Sequence, residues 1–380
     1  KMFLESLSLV NFRSYKNLEI NFKPQNGLNI FVAPNGQGKT NLLEAISLLS
    51  FPKSFRNLKF DDICNFDSYY FSIKGNISPS NQSDQALDVF QDNSIKNLHM
   101  VFDKKQKEKA FFIDEIKLPS KEFMGNFQSV VFTPDHMHLF VLGPVARRKF
   151  LNTFLSSLFK DYFESLMTYN KNLKIRNKML KDGVTNQILY SVYNQKLAES
   201  AAIIHAYRTE LIEYLNQNLE ATYNSIAGTE LDKQVKVKFT AFKPENISLY
   251  KKQFIENLNK NFEKDLRYKS TNLGIHRDDF QFLLDGKAII DFCSRGENRT
   301  FILALKFLQV EYLKQFISYR PILLLDDVFS ELDSQRRKQL LIFASQYQTF
   351  ITTVEKAYFN DYSGSYQTFI IQDSTIKELN

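Results

Sequence analysis

The chain has no tryptophan and two cysteines in 380 residues. Cys64 and Cys293 are too few and too isolated for a disulfide framework or a zinc site, which fits a reducing compartment. No uninterrupted apolar run approaches the roughly 20 residues that a membrane-spanning helix needs. The N-terminus alternates like a strand instead of resembling a signal peptide, so the expectation is a cytoplasmic protein with no membrane partner. With 43% hydrophobic and 24% charged residues, the composition is that of a globular chain and excludes a disordered or fibrous one. Its length exceeds the size at which single cores stop growing, so two lobes are expected, one inserted into the other.

Charge of one sign is scarce in one place. Between Pro144 and Lys181 stand nine basic residues, Arg147, Arg148, Lys149, Lys160, Lys171, Lys174, Arg176, Lys178 and Lys181, against Asp161 and Glu164. From Asp182 to Glu230 the balance reverses, so the net charge of +7 is locally concentrated. Such a segment serves either phosphate binding or a solvated helix face.

Along the chain, "FLESLSLVNFRSYKNLEINF" reads as strand, connection and strand, and "GLNIFVA" as a strand leading into a loop and the helix "TNLLEAISLLS". Short apolar runs between Phe60 and Phe132, interrupted by polar stretches such as "SPSNQSDQ", predict further strands with exposed loops. Beyond Pro144, Leu151, Phe154, Leu155, Leu158, Tyr162 and Leu166 recur at helical spacing, and Gly183 is the sole glycine before Ser225, which predicts at least two helices. "VKVKFTAF" and "DDFQFLLDGKAII" return to strands, the second a hairpin turning at Asp285 and Gly286. The helix "FILALKFLQVEYLKQF", the strand "PILLLDD", the helix "QRRKQLLIFASQ" and the strand "TFITTV" complete an α/β pattern.

"APNGQGKT", from Ala33 to Thr40, nearly matches a phosphate-binding loop, in which backbone N–H groups and a helix N-terminus face an anion, a lysine bridges the phosphates and a hydroxyl holds magnesium. Alanine stands where the pattern usually begins with glycine, which is tolerable if its dihedrals stay in an allowed region. A glycine loop that merely caps a helix would look similar. The loop needs a carboxylate at the end of a buried strand to complete a magnesium site, and "ILLLDD" supplies one. Asp326 is the expected magnesium ligand together with Thr40, and Asp327 is placed to orient or deprotonate a water; both could instead cap the following turn. The long separation of loop and strand calls for an insertion. The expected division is a head at 1–133 and 233–380 with a projecting helical arm at 134–232.

"LVNFRSY", "VVFTPD" with "ARRKFLN", "GIHRDDF", "SRGENRTFILALK" and "LLLDDVFSELD" together resemble, in order, the blocks of the bacterial RecF family, whose ABC-type ATPase heads are related to those of the structural-maintenance and Rad50 proteins. The resemblance runs from about residue 9 to 353. It implies a P-loop ABC-type head with mixed β-sheets and an inserted α-helical arm, binding ATP and Mg2+ between the two subunits of an ATP-dependent homodimer. Asn35, Gly36, Gln37, Gly38, Lys39, Thr40 and Asn41 would line the phosphates, with Arg13 nearby and Lys39, Asp326, Asp327 and Ser294 carrying catalysis. Ser294, Arg295 and Gly296 would approach the γ-phosphate from the second subunit, with Asp333 facing across the interface and Thr353 where other heads carry a switch histidine. Asp327 replaces a frequent glutamate, and its shorter side chain suits slow hydrolysis. The family role implied is ATP-dependent binding of gapped or junction duplex DNA, weak DNA-dependent ATP hydrolysis, and loading of recombinase with RecO and RecR in replication, recombination and the SOS response to DNA damage. The DNA contacts would be Arg147, Arg148, Lys149, Lys171, Lys174, Arg176 and Lys178.

Ala33, Ile275 and the pair Glu297 and Asn298 depart from the family's pattern without removing a charged catalytic group. Gln128 is a candidate for the γ-phosphate-sensing glutamine, at an unconvincing spacing. His276 is poor in companion ligands and belongs to a structural ion-pair network; His136 and His138 read as loop residues. Two other functional classes fit the sequence unequally. The energising subunit of a membrane transporter would carry an LSGGQ-type signature and a short insert, whereas this chain has "SRGENRT" and a long one. A nucleotide-sensing scaffold that binds ATP without turnover is compatible with Asp327 and Ala33.

Overall fold

The computed structural model describes all residues except 1, 24–26, 57, 80–94, 139–142, 229–232, 243, 245–248 and 380. The polar stretch read as an exposed loop therefore lies largely outside the described residues, and so does the expected boundary at residue 232. The chain divides into two units, Lys1–Met137 with Lys306–Asn380, and His138–Leu305. The second unit thus continues well past residue 232 and takes in the β-structure that the sequence assigned to the head.

The first unit opens with β1 (Met2–Phe12), β2 (Tyr15–Asn21), β3 (Leu28–Val32), α1 (Lys39–Ser50) and the single turn α2 (Phe60–Ile63). Then come β4 (Tyr70–Pro79), β5 (Lys96–Asp103), β6 (Glu108–Ile113), β7 (Ile116–Leu118), the single turn α3 (Ser120–Phe123) and β8 (Ser129–Phe132). The second unit holds α4 (Pro144–Leu158), α5 (Lys160–Lys181), α6 (Gln187–Ala227), β9 (Val235–Thr240), α7 (Tyr250–Lys260), α8 (Phe262–Tyr268), β10 (Asp279–Leu284), β11 (Lys287–Ala288) and α9 (Ile289–Phe292). Helix α10 (Arg295–Lys314) begins in the second unit and ends in the first, which closes with β12 (Ile322–Asp326), α11 (Ser334–Ala344), β13 (Thr349–Thr353), β14 (Tyr366–Gln372) and β15 (Thr375–Leu379).

Two sheets build the first unit. One is antiparallel, in the order β2-β1-β4-β5-β6-β7, and the other runs β15-β14-β3-β13-β12-β8 with parallel pairing from β14 through to β8. Parallel strands covered on both faces read as continuous apolar runs, and all five residues of β12 and of β13 are buried. Helix α1 packs against strands of both sheets, so it is buried nearly all round: Leu42, Leu43, Ile46, Leu48 and Leu49 are fully buried. Each contributes roughly 2 kcal/mol by burial, which fixes the start of α1 relative to the tip of β3. Phe22, Phe31, Phe350 and Phe369 stack and edge-pack in the same core.

In the second unit α5 and α6 run antiparallel, for Arg208 reaches Tyr162 while Asn194 reaches Arg176. Helix α6 has 41 residues, about 60 Å. Its N-cap Asn186 accepts from the N–H groups of Ile188 and Leu189, and Gly228 ends it in the left-handed conformation. The sheet β11-β10-β9 contains the expected hairpin, in which Leu284 pairs with Lys287 and Asp285 and Gly286 both have positive φ, the geometry of a two-residue turn. No helix among the described residues is long and apolar enough to cross a membrane.

Candidate nucleotide site

The parallel strands of the first unit converge on one edge, where loops leave their C-terminal ends. In open α/β sheets this is where ligands bind. Strand β13 lies between β3, which feeds the loop at Ala33 to Gly38, and β12, which ends at Asp326. In register Thr352 faces Phe31 on one side and Asp326 on the other. The pairing brings together groups that are remote in sequence: the Thr40 hydroxyl donates to Asp326 Oδ1 at 2.9 Å, across 286 positions.

Ala33 answers the question its presence raises. It is buried, keeps an ordinary backbone with no positive φ, and donates its N–H to the Thr353 carbonyl at 3.2 Å, so the methyl group is accommodated. Gly38 is different. Its φ of 91° is left-handed, and a Cβ there would lie 2.8 Å from Ser14 Oγ. The Tyr15 hydroxyl donates to the Gly38 carbonyl, tying the β1–β2 turn to the loop.

The Lys39 ammonium donates to the carbonyls of Ala33 and Pro34 and to Asn35 Oδ1. Burial lowers its pKa, opposed by the carboxylates of Asp327 and Asp326. Burial likewise raises the pKa of Asp326, offset by hydrogen bonds from Thr352 and Thr40, and raises that of Asp327, offset by Lys39. Asp327 adopts a left-handed backbone, φ 49°, and its Oδ1 is buried with no hydrogen-bond partner among the described residues. A buried, unpaired carboxylate oxygen is costly unless something polar meets it.

These residues suit ATP with magnesium. The loop N–H groups, the start of α1 and Lys39 match a polyphosphate, and the Thr40 hydroxyl with the Asp326 carboxylate offers the hard oxygen donors that Mg2+ takes together with substrate phosphates. Among the described residues no three His, Cys, Asp or Glu side chains cluster as a self-sufficient metal site.

Several expected residues lie elsewhere or are otherwise engaged. Arg13 spends Nε and Nη2 on Glu44 Oε2, at 3.1 and 2.9 Å, and Nη1 on the Asp62 carbonyl. It thus buckles the β1–β2 turn to α1. Glu44, fully buried and also bonded by the Ser54 hydroxyl, was not singled out from sequence. The Asn41 amide donates to Ser14 Oγ and Gln37 accepts from the Asp373 N–H. Thr353 is buried and its hydroxyl bonds within its own turn, at Glu355, while the unremarked neighbour Thr352 touches both aspartates. Asp333 caps α11, accepting from the Arg336 N–H and pairing with its guanidinium. Despite some burial, those bonds hold its pKa low.

In the second unit, Ser294 and Glu297 exchange hydrogen bonds, a capping box that starts α10 and leaves Ser294 and Arg295 exposed. Ile290 and Phe292 just before it are 54% and 67% exposed. Of the expected DNA contacts, Lys171, Lys174 and Lys178 form an exposed stripe on one side of α5, and Lys149 is exposed on α4. Arg176 and Arg147 are corrections to that set. Arg176 is fully buried and pairs with Asp265, Asn194 and Thr271, and Arg147 is buried on Asp279 through a two-pronged pair. Arg148 bonds the Asp278 carbonyl. "GIHRDD" therefore supplies framework: Asp278 pairs with buried Arg208, and His276 Nε2 donates to the Thr271 carbonyl while Nδ1 accepts from the Tyr169 hydroxyl.

The chain is similar to known proteins over nearly its whole length. The family model described as RecF/RecN/SMC N terminal domain matches residues 3–377. A DNA replication and repair protein RecF of Thermoanaerobacter pseudethanolicus is 35% identical over 94% of this chain and 95% of its own length. A solved structure of the recombination mediator protein RecF-ATPrS in the RecFOR pathway superposes with a TM-score of 0.88 and 31% identity, covering 100% of this chain and 98% of that one. The Smc head domain of Pyrococcus furiosus, at 14% identity and a TM-score of 0.53, shares the fold.

Proposed function

Since the chain belongs to the RecF/RecN/SMC N terminal domain family, and within it to the RecF proteins, we propose that it is a cytoplasmic DNA replication and repair ATPase that grips duplex DNA when ATP joins two copies. The observation that carries this reading is the 2.9 Å bond between Thr40 and Asp326, which assembles a phosphate loop and an acidic strand end from opposite ends of the sequence. Lys39 and the loop N–H groups would bind the phosphates, and Thr40 and Asp326 would hold magnesium. When bound, magnesium neutralises charge on the β- and γ-phosphate oxygens. Asp327, with its unpaired Oδ1, would orient the attacking water and take its proton. The pull of burial toward the protonated form is opposed at Asp327 by Lys39.

Ser294, Arg295 and Gly296 would complete the site of a second copy. Their support is the exposure of Ser294 and Arg295, together with the exposed Ile290 and Phe292 beside them. Gapped duplex DNA would lie on Lys149, Lys171, Lys174 and Lys178, held through phosphates and therefore without sequence preference. Cooperation with RecR and RecO in loading recombinase is part of the same proposal, supported by the RecFOR context of the similar structure.

The test is gapped-duplex binding as a function of salt, with ATP and without. The expected result is binding that requires ATP and a log–log salt slope reduced by roughly three when Lys171, Lys174 and Lys178 are all changed to Ala. Binding indifferent to both ATP and the three lysines would count against the proposal.

A further inference from the structure

The geometry points to Thr352 as a positioning residue that sets both Asp326 and Asp327 for the reaction, an inference that rests on the ATPase reading above. Its hydroxyl has one proton to give, and gives it to Asp326 Oδ1 at 2.8 Å. The Thr352 hydroxyl oxygen in turn accepts the Asp327 N–H at 3.0 Å, and the Thr352 carbonyl accepts that N–H as well at 3.1 Å. One fully buried side chain therefore touches the expected metal ligand and the backbone of the expected water-orienting residue at once.

Two features make this contact consequential. Asp327 sits at φ 49°, a conformation that costs an ordinary residue roughly 1 kcal/mol and persists only where neighbours enforce it; its N–H is shared between two acceptors that both belong to Thr352. Asp326 Oδ1 accepts from Thr40 as well as from Thr352. The Thr40 hydroxyl is the group expected to turn to magnesium, and Thr352, enclosed in the sheet, has no such alternative task. It is the donor that keeps the carboxylate aimed when Thr40 leaves. Because β13 pairs with β3 on one side and β12 on the other, Thr352 also spans the strand that leads to the phosphate loop and the strand that carries the acids.

Thr352→Val keeps the shape and the strand preference and removes only the hydroxyl. In the full-length protein it is expected to bind a fluorescent ATP analogue in EDTA as the wild type does. The magnesium concentration that half-maximally tightens nucleotide binding should rise about tenfold, and single-turnover phosphate release at saturating magnesium should slow about tenfold, the worth of one hydrogen bond to a charged group. Thr352→Ser should restore both to within about twofold. A Val variant with the wild-type magnesium midpoint and rate overturns the inference. So does a Ser variant as impaired as Val with an equally lowered unfolding midpoint, since that marks a packing role. If the wild type binds nucleotide without regard to magnesium, or Lys39→Ala binds as the wild type does, the ATPase reading itself falls and the inference with it.

Discussion

At Ala33 the loop departs from its usual pattern, and the reason it can is local: the N–H is occupied by the Thr353 carbonyl and the backbone needs no positive φ. Ala33→Gly is accordingly expected to leave nucleotide affinity within about twofold of the wild type, measured by titration with a fluorescent analogue, since no strain is there to relieve. Gly38 carries the constraint instead. At this scale the sequence was informative where a motif fixes spacing: Lys39, Thr40 and Asp326 were legible and lie together. It was uninformative where a partner comes from another strand. Thr352 and Thr353 are indistinguishable as letters, and only the strand pairing turns the first toward the aspartates and leaves the second in its own turn. Glu44 looks like one more polar residue of an amphipathic helix until Arg13 and Ser54 are seen around it.

Among the elements, α5 shows how a run of like charge misleads. Lys171, Lys174 and Lys178 recur at threes and fours on an exposed face, but Arg176 falls on the opposite side and is buried against Asp265, 89 positions away. Breaking a buried pair from one side leaves the other charge uncompensated. Asp265→Asn should therefore destabilise the protein by about 3–5 kcal/mol, read as a fall of roughly 10 °C in the unfolding midpoint by circular dichroism, while the salt slope of DNA binding stays unchanged. A surface role for Arg176 would give the reverse. The hairpin at Asp285 and Gly286 was legible because Asp-Gly favours its turn. The hairpin of β14 and β15 was not, since Asp373 and Ser374 make the same turn with positive φ and no glycine. The extent of the second unit was missed for a related reason: strands β9 to β11 have the alternation of any half-buried sheet, which does not say to which core they belong.

For the whole molecule, stability and activity depend on groups that the fold keeps in one protonation state. His276 is held between the Tyr169 hydroxyl and the Thr271 carbonyl, and burial lowers its pKa from the ordinary 6.5 to about 4. The folded value lies below the unfolded one, so its contribution is fully present above about pH 6.5 and is lost as pH falls toward 4. Urea-unfolding midpoints should drop over that window, and His276→Gln should show a shallower drop; equal slopes would remove His276 as the cause. In the proposed function, two segments distant in sequence form an ATP-hydrolysing site whose turnover answers to DNA. Steady-state phosphate release with and without gapped duplex DNA tests it most directly, with Lys39→Ala and Asp327→Asn alongside. The expected result is slow release that DNA stimulates, that Lys39→Ala abolishes, and that Asp327→Asn lowers by about 100-fold or more while nucleotide still binds. Nucleotide binding with no phosphate released under any DNA would contradict it, and would make the chain a nucleotide-sensing scaffold.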